Sequence, residues 1–180
     1  HQPQLHAVLE PLPDRLQDFL VLRRFAYDVR QMFDGDRRWV LTGEAGMFLD
    51  PFYSPGSDYI GIANTMITDL VARDRGGQPT GQLAQLHERV FRSLADSHLT
   101  LYLGQYALFG HPVVMPVKVL WDYAYYWGIP CQLFFQQRLT DMRTMAALAQ
   151  PLGEIAALNV AVQRLLRAWG VERVLLANQL

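Results

Sequence analysis

The chain has 180 residues, of which 51% are hydrophobic and 18% charged, with a formal net charge of −1. That length suits one well-buried domain, and the near-neutral balance gives no electrostatic footprint for nucleic acid. The single cysteine, Cys131, excludes an internal disulfide and a multi-cysteine zinc cluster. The opening HQPQLHAVLEPLPDRLQ does not have the form of a signal peptide, so the cytoplasm is the expected compartment.

Residues 19–33 alternate loosely between apolar and polar side chains and carry β-branched and aromatic residues, which predicts a strand or a pair of strands. Asp34-Gly35-Asp36 then turns the chain. Trp39-Val40-Leu41-Thr42 reads as a short buried strand whose end delivers a loop. This loop, residues 43–57, holds three glycines and two prolines and is irregular by composition. Ser57 or Asp58 caps a helix running to about Arg75, with Ile60, Ala63, Ile67 and Leu70 at helical spacing.

After a glycine-rich break over residues 76–81, the remainder reads as helix. Leu83, Leu86, Val90, Leu94, His98 and Leu101 form one stripe over residues 82–109, which Gly110-His111-Pro112 ends. Further helices are expected over residues 117–127, 131–149 and 154–168, with Gly128-Ile129-Pro130 as a break. The class is therefore α+β and predominantly helical. Residues 1–76 carry the strands, the loop and its helix, and residues 77–180 form the helical remainder of one compact unit. The apolar runs 99–109 and 113–135 are interrupted too often to reach the roughly 20 clean residues of a spanning helix. Contact with a membrane surface stays open.

The loop carries the chemistry. An acidic residue just after a strand can accept hydrogen bonds from ribityl or ribose hydroxyls, and small neighbours let the backbone approach a cofactor closely. The helix that follows aims its amino end, with unpaired N–H groups and partial positive charge, at whatever lies ahead. In a flavin enzyme that object is the edge where negative charge gathers on reduction.

The string TGEAGMFLDPFYSPG resembles the second FAD-binding motif of the flavin-dependent monooxygenase superfamily, with the halogenase and geranylgeranyl-reductase-like branch as its nearest likeness. The likeness spans residues 25–69; the helical remainder agrees in character only. It implies the carboxy-terminal portion of an FAD-binding monooxygenase fold, FAD as cofactor, and Gly43, Glu44, Ala45, Asp50, Pro51, Ser54, Pro55 and Gly56 as cofactor-binding residues. Glu44 would meet the ribityl chain, Asp50 and Pro51 would shape the turn, and Ser54 to Gly56 would pass the pyrimidine side of the isoalloxazine. Reduced flavin and oxygen would give a C4a-hydroperoxide that oxidises halide or hydroxylates substrate, with a flavin reductase as a partner.

Two positions depart from the pattern. Glu44 is one methylene longer than the usual aspartate, and Pro55 has no N–H to offer a halide. The first nucleotide motif, Gly-x-Gly-x-x-Gly, is missing, as are the halogenase lysine and its Trp-x-Trp-x-Ile-Pro signature. The chain thus reads as a fragment or processed product whose dinucleotide-binding domain lies upstream, inactive alone.

Among other residues, Lys118 is expected as a solvated or snorkelling side chain, and His98 and His111 as packing or capping residues. His87, without a second histidine at zinc-protease spacing, is not expected to bind metal. Cys131 is expected as a small buried hydrophobe. The aromatic segment from Trp121 to Phe135 cannot place all its rings on one buried face. By the family likeness, Trp121, Tyr125, Trp127 and Phe134 would line a pocket for an aromatic or lipid-like substrate. The competing expectation is a non-catalytic helical binding or assembly module that keeps a relict flavin loop.

Overall fold

The computed structural model describes residues 25–177, together with Ala7, and their side chains as far as Val171. Residues 19–24 of the expected strand region lie outside the described residues, as does the opening segment. The described residues are 66% helix and 5% strand, so helices set the architecture. Among its described residues the front third contributes two-residue strands: β1 (Tyr27–Asp28), β2 (Phe33–Asp34), β3 (Trp39–Val40) and β4 (Met47–Phe48). β1 pairs antiparallel with β4, and β2 with β3. Trp39 and Val40 are half-buried, so the apolar run is shorter and more open than a core strand.

Helix α1 (Pro55–Arg75) starts two residues ahead of the expected cap, because proline is well accommodated at the first helical position, where no intrahelical N–H is needed. It packs against α2 (Gly81–Leu99) through Tyr59, Ile62, Ala63 and Met66 on one side and Ala84, Phe91 and Ala95 on the other. The Tyr59 and Phe33 rings meet Phe91 at 5.4 and 6.0 Å. Phe91 is 1% exposed, and its burial contributes about 1.5–3 kcal/mol. The expected leucine stripe of α2 is half-buried and flanks this line of smaller residues and rings.

Polar contacts fasten the front loops to α2. Glu88 accepts the backbone N–H groups of Met32 and Phe33, while Arg92 reaches Glu88, Asp28 and the Val29 carbonyl. Gly35 lies so close to the start of α2 that a Cβ there would fall 2.4 Å from the Thr80 carbonyl oxygen. Only glycine permits that approach.

Helix α2 ends at Leu99 and not near Phe109. Residues 100–105 turn instead, with Gly104 at φ 67°, before a short 3-10 turn, Tyr106–Leu108. Helix α3 (Val114–Gly128) is followed directly by α4 (Pro130–Phe135), again with proline at the helix start. Asp141 then accepts the backbone N–H and the hydroxyl of Thr144, capping α5 (Met142–Ala177). The two expected helices 131–149 and 154–168 are thus a six-residue helix and one continuous 36-residue helix that crosses Pro151. Pro151 deprives the Ala147 carbonyl of its helical donor without ending the helix. The span Met142–Val171, which lies beyond the apolar runs 99–109 and 113–135, is long and apolar enough to cross a membrane by length and composition. Only 6% of its most apolar window is buried.

Candidate functional site

The loop between β4 and α1 adopts a conformation that its sequence would not choose freely. Tyr53 and Ser54 both take left-handed backbone angles, φ 68° and 53°. For residues with a Cβ this costs about 1–2 kcal/mol each, and such geometry persists where the surroundings over-determine it. Here several contacts do so. Asp50 Oδ1 accepts the Phe52 N–H at 2.8 Å, and the Ser54 N–H reaches the Pro51 carbonyl at 3.0 Å. The Tyr102 hydroxyl donates to the Phe52 carbonyl at 2.7 Å, and the Phe52 ring packs on Phe109 at 4.6 Å.

This loop bounds a cavity of about 570 Å³. Gly43, Glu44, Asp50, Pro51, Ser54, Pro55 and Gly56 all line it; Ala45, exposed in the 3-10 turn Gly43–Ala45, does not. The remaining Asp50 oxygen accepts the Tyr106 hydroxyl, whose pKa this bond pushes up to about 12. Both Asp50 oxygens are therefore engaged in holding the turn. Glu44 is fixed through its backbone, the carbonyl accepting the Tyr27 hydroxyl at 2.5 Å, and its side chain is exposed beside the cavity.

Two features equip the cavity for a polar ligand. Thr42 belongs to its lining, and the Thr42 hydroxyl is buried without a hydrogen-bond partner among the described residues; an unsatisfied buried group of this kind costs about 1–3 kcal/mol. The first turn of α1 adds the Gly56 and Ser57 amides, which have no intrahelical acceptor. A Cβ built on Gly56 would meet nothing within 4 Å, so space is open at the helix tip.

On the inner side, Tyr53 connects the loop to a buried polar network. Its hydroxyl donates to Asp122 Oδ2 at 2.9 Å. Lys118 Nζ donates to the same oxygen at 2.6 Å, to the Leu101 carbonyl at 2.9 Å and to Gln163 Oε1 at 3.1 Å. Lys118 is thus fully buried with every ammonium proton satisfied, which corrects its expected place in solvent. Its position four residues before Asp122 turns both groups toward α5, where Gln163 Nε2 donates to Asp122 Oδ1 at 2.6 Å. Burial pulls the Lys118 pKa down against the opposing pull of Asp122.

A second cavity, of about 310 Å³, lies on the other side of Tyr53. Tyr53, Tyr123, Tyr126, Trp127 and Phe135 give it aromatic walls, and Asp58, His98 and Asp122 are its polar members. His98 is buried, which lowers its pKa to about 4 and keeps it neutral at pH 7. Burial and then Asp58 hold the Tyr126 phenol protonated, and burial raises the Cys131 thiol.

The four aromatic residues expected around a substrate do not share one cavity. Trp127 lines the aromatic cavity. Trp121 instead donates its indole N–H to Asn159 Oδ1 at 2.9 Å, and the Tyr125 hydroxyl meets the Ser97 hydroxyl. Phe134 packs on the main core, near Gly61. Missed in sequence were Tyr53 and Asp58, although both sit inside or beside the loop, and their pairing with a distant aromatic segment carries no local signal. His111 caps α3 by accepting the Val113 and Val114 N–H groups, and His87 pairs with Asp69 at 2.9 Å. Among the described residues no group of three or more His, Cys, Asp or Glu side chains is placed to hold a metal.

In comparisons with known proteins, no family model, no curated protein and no solved structure matches the chain.

Proposed function

We propose that the chain is the carboxy-terminal, flavin-contacting part of an FAD-dependent, halogenase-like monooxygenase acting on an aromatic or lipid-like substrate. The observation that carries this reading is the cavity that gathers seven of the eight motif residues, with Thr42, whose buried hydroxyl has no partner among the described residues, in its lining. A buried polar atom of this kind wants a partner, and the donors and acceptors around it suit a polyhydroxylated chain ending in a polar ring. Glu44 would accept from ribityl hydroxyls. The Gly56 and Ser57 amides and the positive end of α1 would serve the electron-rich pyrimidine edge. Bound FAD supplies the activation of oxygen; the chain orients it and shields it from water. Pro55 withholds the amide that a halide would use, which favours hydroxylation or reduction over halogenation.

The test is flavin titration of the protein expressed from its complete reading frame, followed by quenching of flavin fluorescence. Binding that weakens about tenfold in Thr42→Val and Glu44→Ala variants supports the assignment, the loss corresponding to about 1.4 kcal/mol. A protein that neither carries nor binds flavin removes it.

The second reading, a helical assembly module with a relict loop, is favoured by α5, where Leu158, Leu165 and Val171 stand exposed. It calls for a colourless protein that self-associates through α5. Liposome flotation separates from both a reductase working at a membrane surface.

A further inference from the structure

We propose that the aromatic cavity between the loop and α3 binds an organic ammonium ion on a single-ring body, with the Asp58 carboxylate as its counter-ion. The site is binding machinery in its own right; only the word substrate, if applied to the ligand, rests on the flavin reading.

The first support is charge. Asp58 belongs to the first turn of α1 and lines the cavity, yet forms no ion pair among the described residues. Asp122 is matched by Lys118 at 2.6 Å, and His98 is neutral near pH 7. One negative charge therefore faces the space without a cation to answer it. Among the described residues no arginine or lysine is in the lining.

The second support is the walls. Tyr53 and Tyr123 meet edge to face at 5.8 Å, Tyr126 and Trp127 do so at 5.8 Å and 80°, and Trp127 stacks with Phe135 at 16°. Five aromatic side chains thus bound one volume, and aromatic rings attract ammonium groups. A neutral aromatic would enjoy the same walls but would leave the Asp58 charge without a cation, and a carboxylate would be repelled. The volume, about 310 Å³, suits one ring with a short arm and is at the lower end of small-molecule pockets.

The third support is access. Tyr123, Trp127 and Phe135 are at least half exposed, so the cavity opens to solvent on their side while His98 and Leu101 close its floor.

The experiment titrates the protein with phenethylamine, 2-phenylethanol and phenylacetate at pH 7, read by tryptophan fluorescence and by saturation-transfer NMR. Phenethylammonium is expected to bind about tenfold more tightly than the alcohol, phenylacetate more weakly than either, and the preference to shrink as salt is raised. Asp58→Asn is expected to abolish the difference between amine and alcohol while alcohol binding stays; Asp58→Glu is expected to retain it. Thermal melting reports whether each variant is folded, and the wild-type ranking alone decides the matter if Asp58→Asn is not. Equal affinity for the three probes, or saturation by phospholipid vesicles in place of the amine, overturns the proposal. Flavin titration of the same samples is a separate readout, so loss of amine binding with flavin binding intact, or the reverse, tells the two readings apart.

Discussion

The Tyr53 hydroxyl donates to Asp122 Oδ2 at 2.9 Å, so a residue strained at φ 68° on the surface loop is fastened to an ion pair inside the helical layer. The same tyrosine stands between the loop cavity and the aromatic cavity, its backbone shaping one and its ring lining the other. Removing the hydroxyl in Tyr53→Phe leaves Asp122 two partners and is expected to cost about 1 kcal/mol. Thermal unfolding should show this as a fall in Tm of about 2–4 °C, with flavin affinity, where present, falling more than stability does.

Lys118→Met should be far more damaging. It leaves the Asp122 carboxylate buried without its cation, a loss of about 3–5 kcal/mol. Replacing both members, as in Lys118→Met with Asp122→Leu, is expected to recover most of this in urea denaturation. A double variant no more stable than the single would show that the surrounding amides, and not the charge, set the cost.

Acid should weaken the fold partly through His98. Its pKa is held near 4 in the folded state against an ordinary value of 6.5, so the unfolded chain binds the extra proton more readily. Stability contributed by the neutral ring is complete above about pH 6.5 and is lost as pH falls to about 4. The total is roughly 3 kcal/mol. Stability curves of His98→Phe, compared with the parent between pH 7 and 4, should lack this component, and parallel curves would assign the acid loss to other groups. His87, also lowered by burial, changes stability in the same direction.

Two glycines should respond oppositely. Gly35→Ala drives a Cβ into the Thr80 carbonyl and is expected to cost about 1–3 kcal/mol. Gly56→Ala meets open space in the first turn of α1, and its folded state is expected to be unchanged or up to about 1 kcal/mol more stable. Because the added methyl enters the loop cavity, flavin binding should nevertheless weaken. Calorimetry beside flavin titration checks both halves.

What the sequence made legible followed local rules. The glycine-rich break over residues 76–81 and the helices on either side of it needed only spacing and composition, and α1 differs by the two residues that proline adds. The gap expected between residues 149 and 154 is helix instead, since a helix that gains support from Asn159, Gln163 and Leu166 outweighs the one bond missing at Pro151. Lys118 and Asp122 stood at visible helical spacing, but their burial depends on Gln163, 41 residues beyond Asp122. The motif residues gathered because they are neighbours in one loop. Tyr53, Asp58 and Phe135 come together only once three helices have packed, and no spacing along the chain announces it.

Helix α5, with 36 residues at a rise of 1.5 Å each, is roughly 54 Å long. Its polar anchors, Asn159 and Gln163, occupy one narrow line, while much of its leucine and valine surface meets water. Salts that strengthen apolar association act on that surface directly. The protein's behaviour in solution should therefore vary with concentration and salting-out strength well before its folding does, and dilute, low-sulfate buffers are where its two cavities can be titrated one molecule at a time.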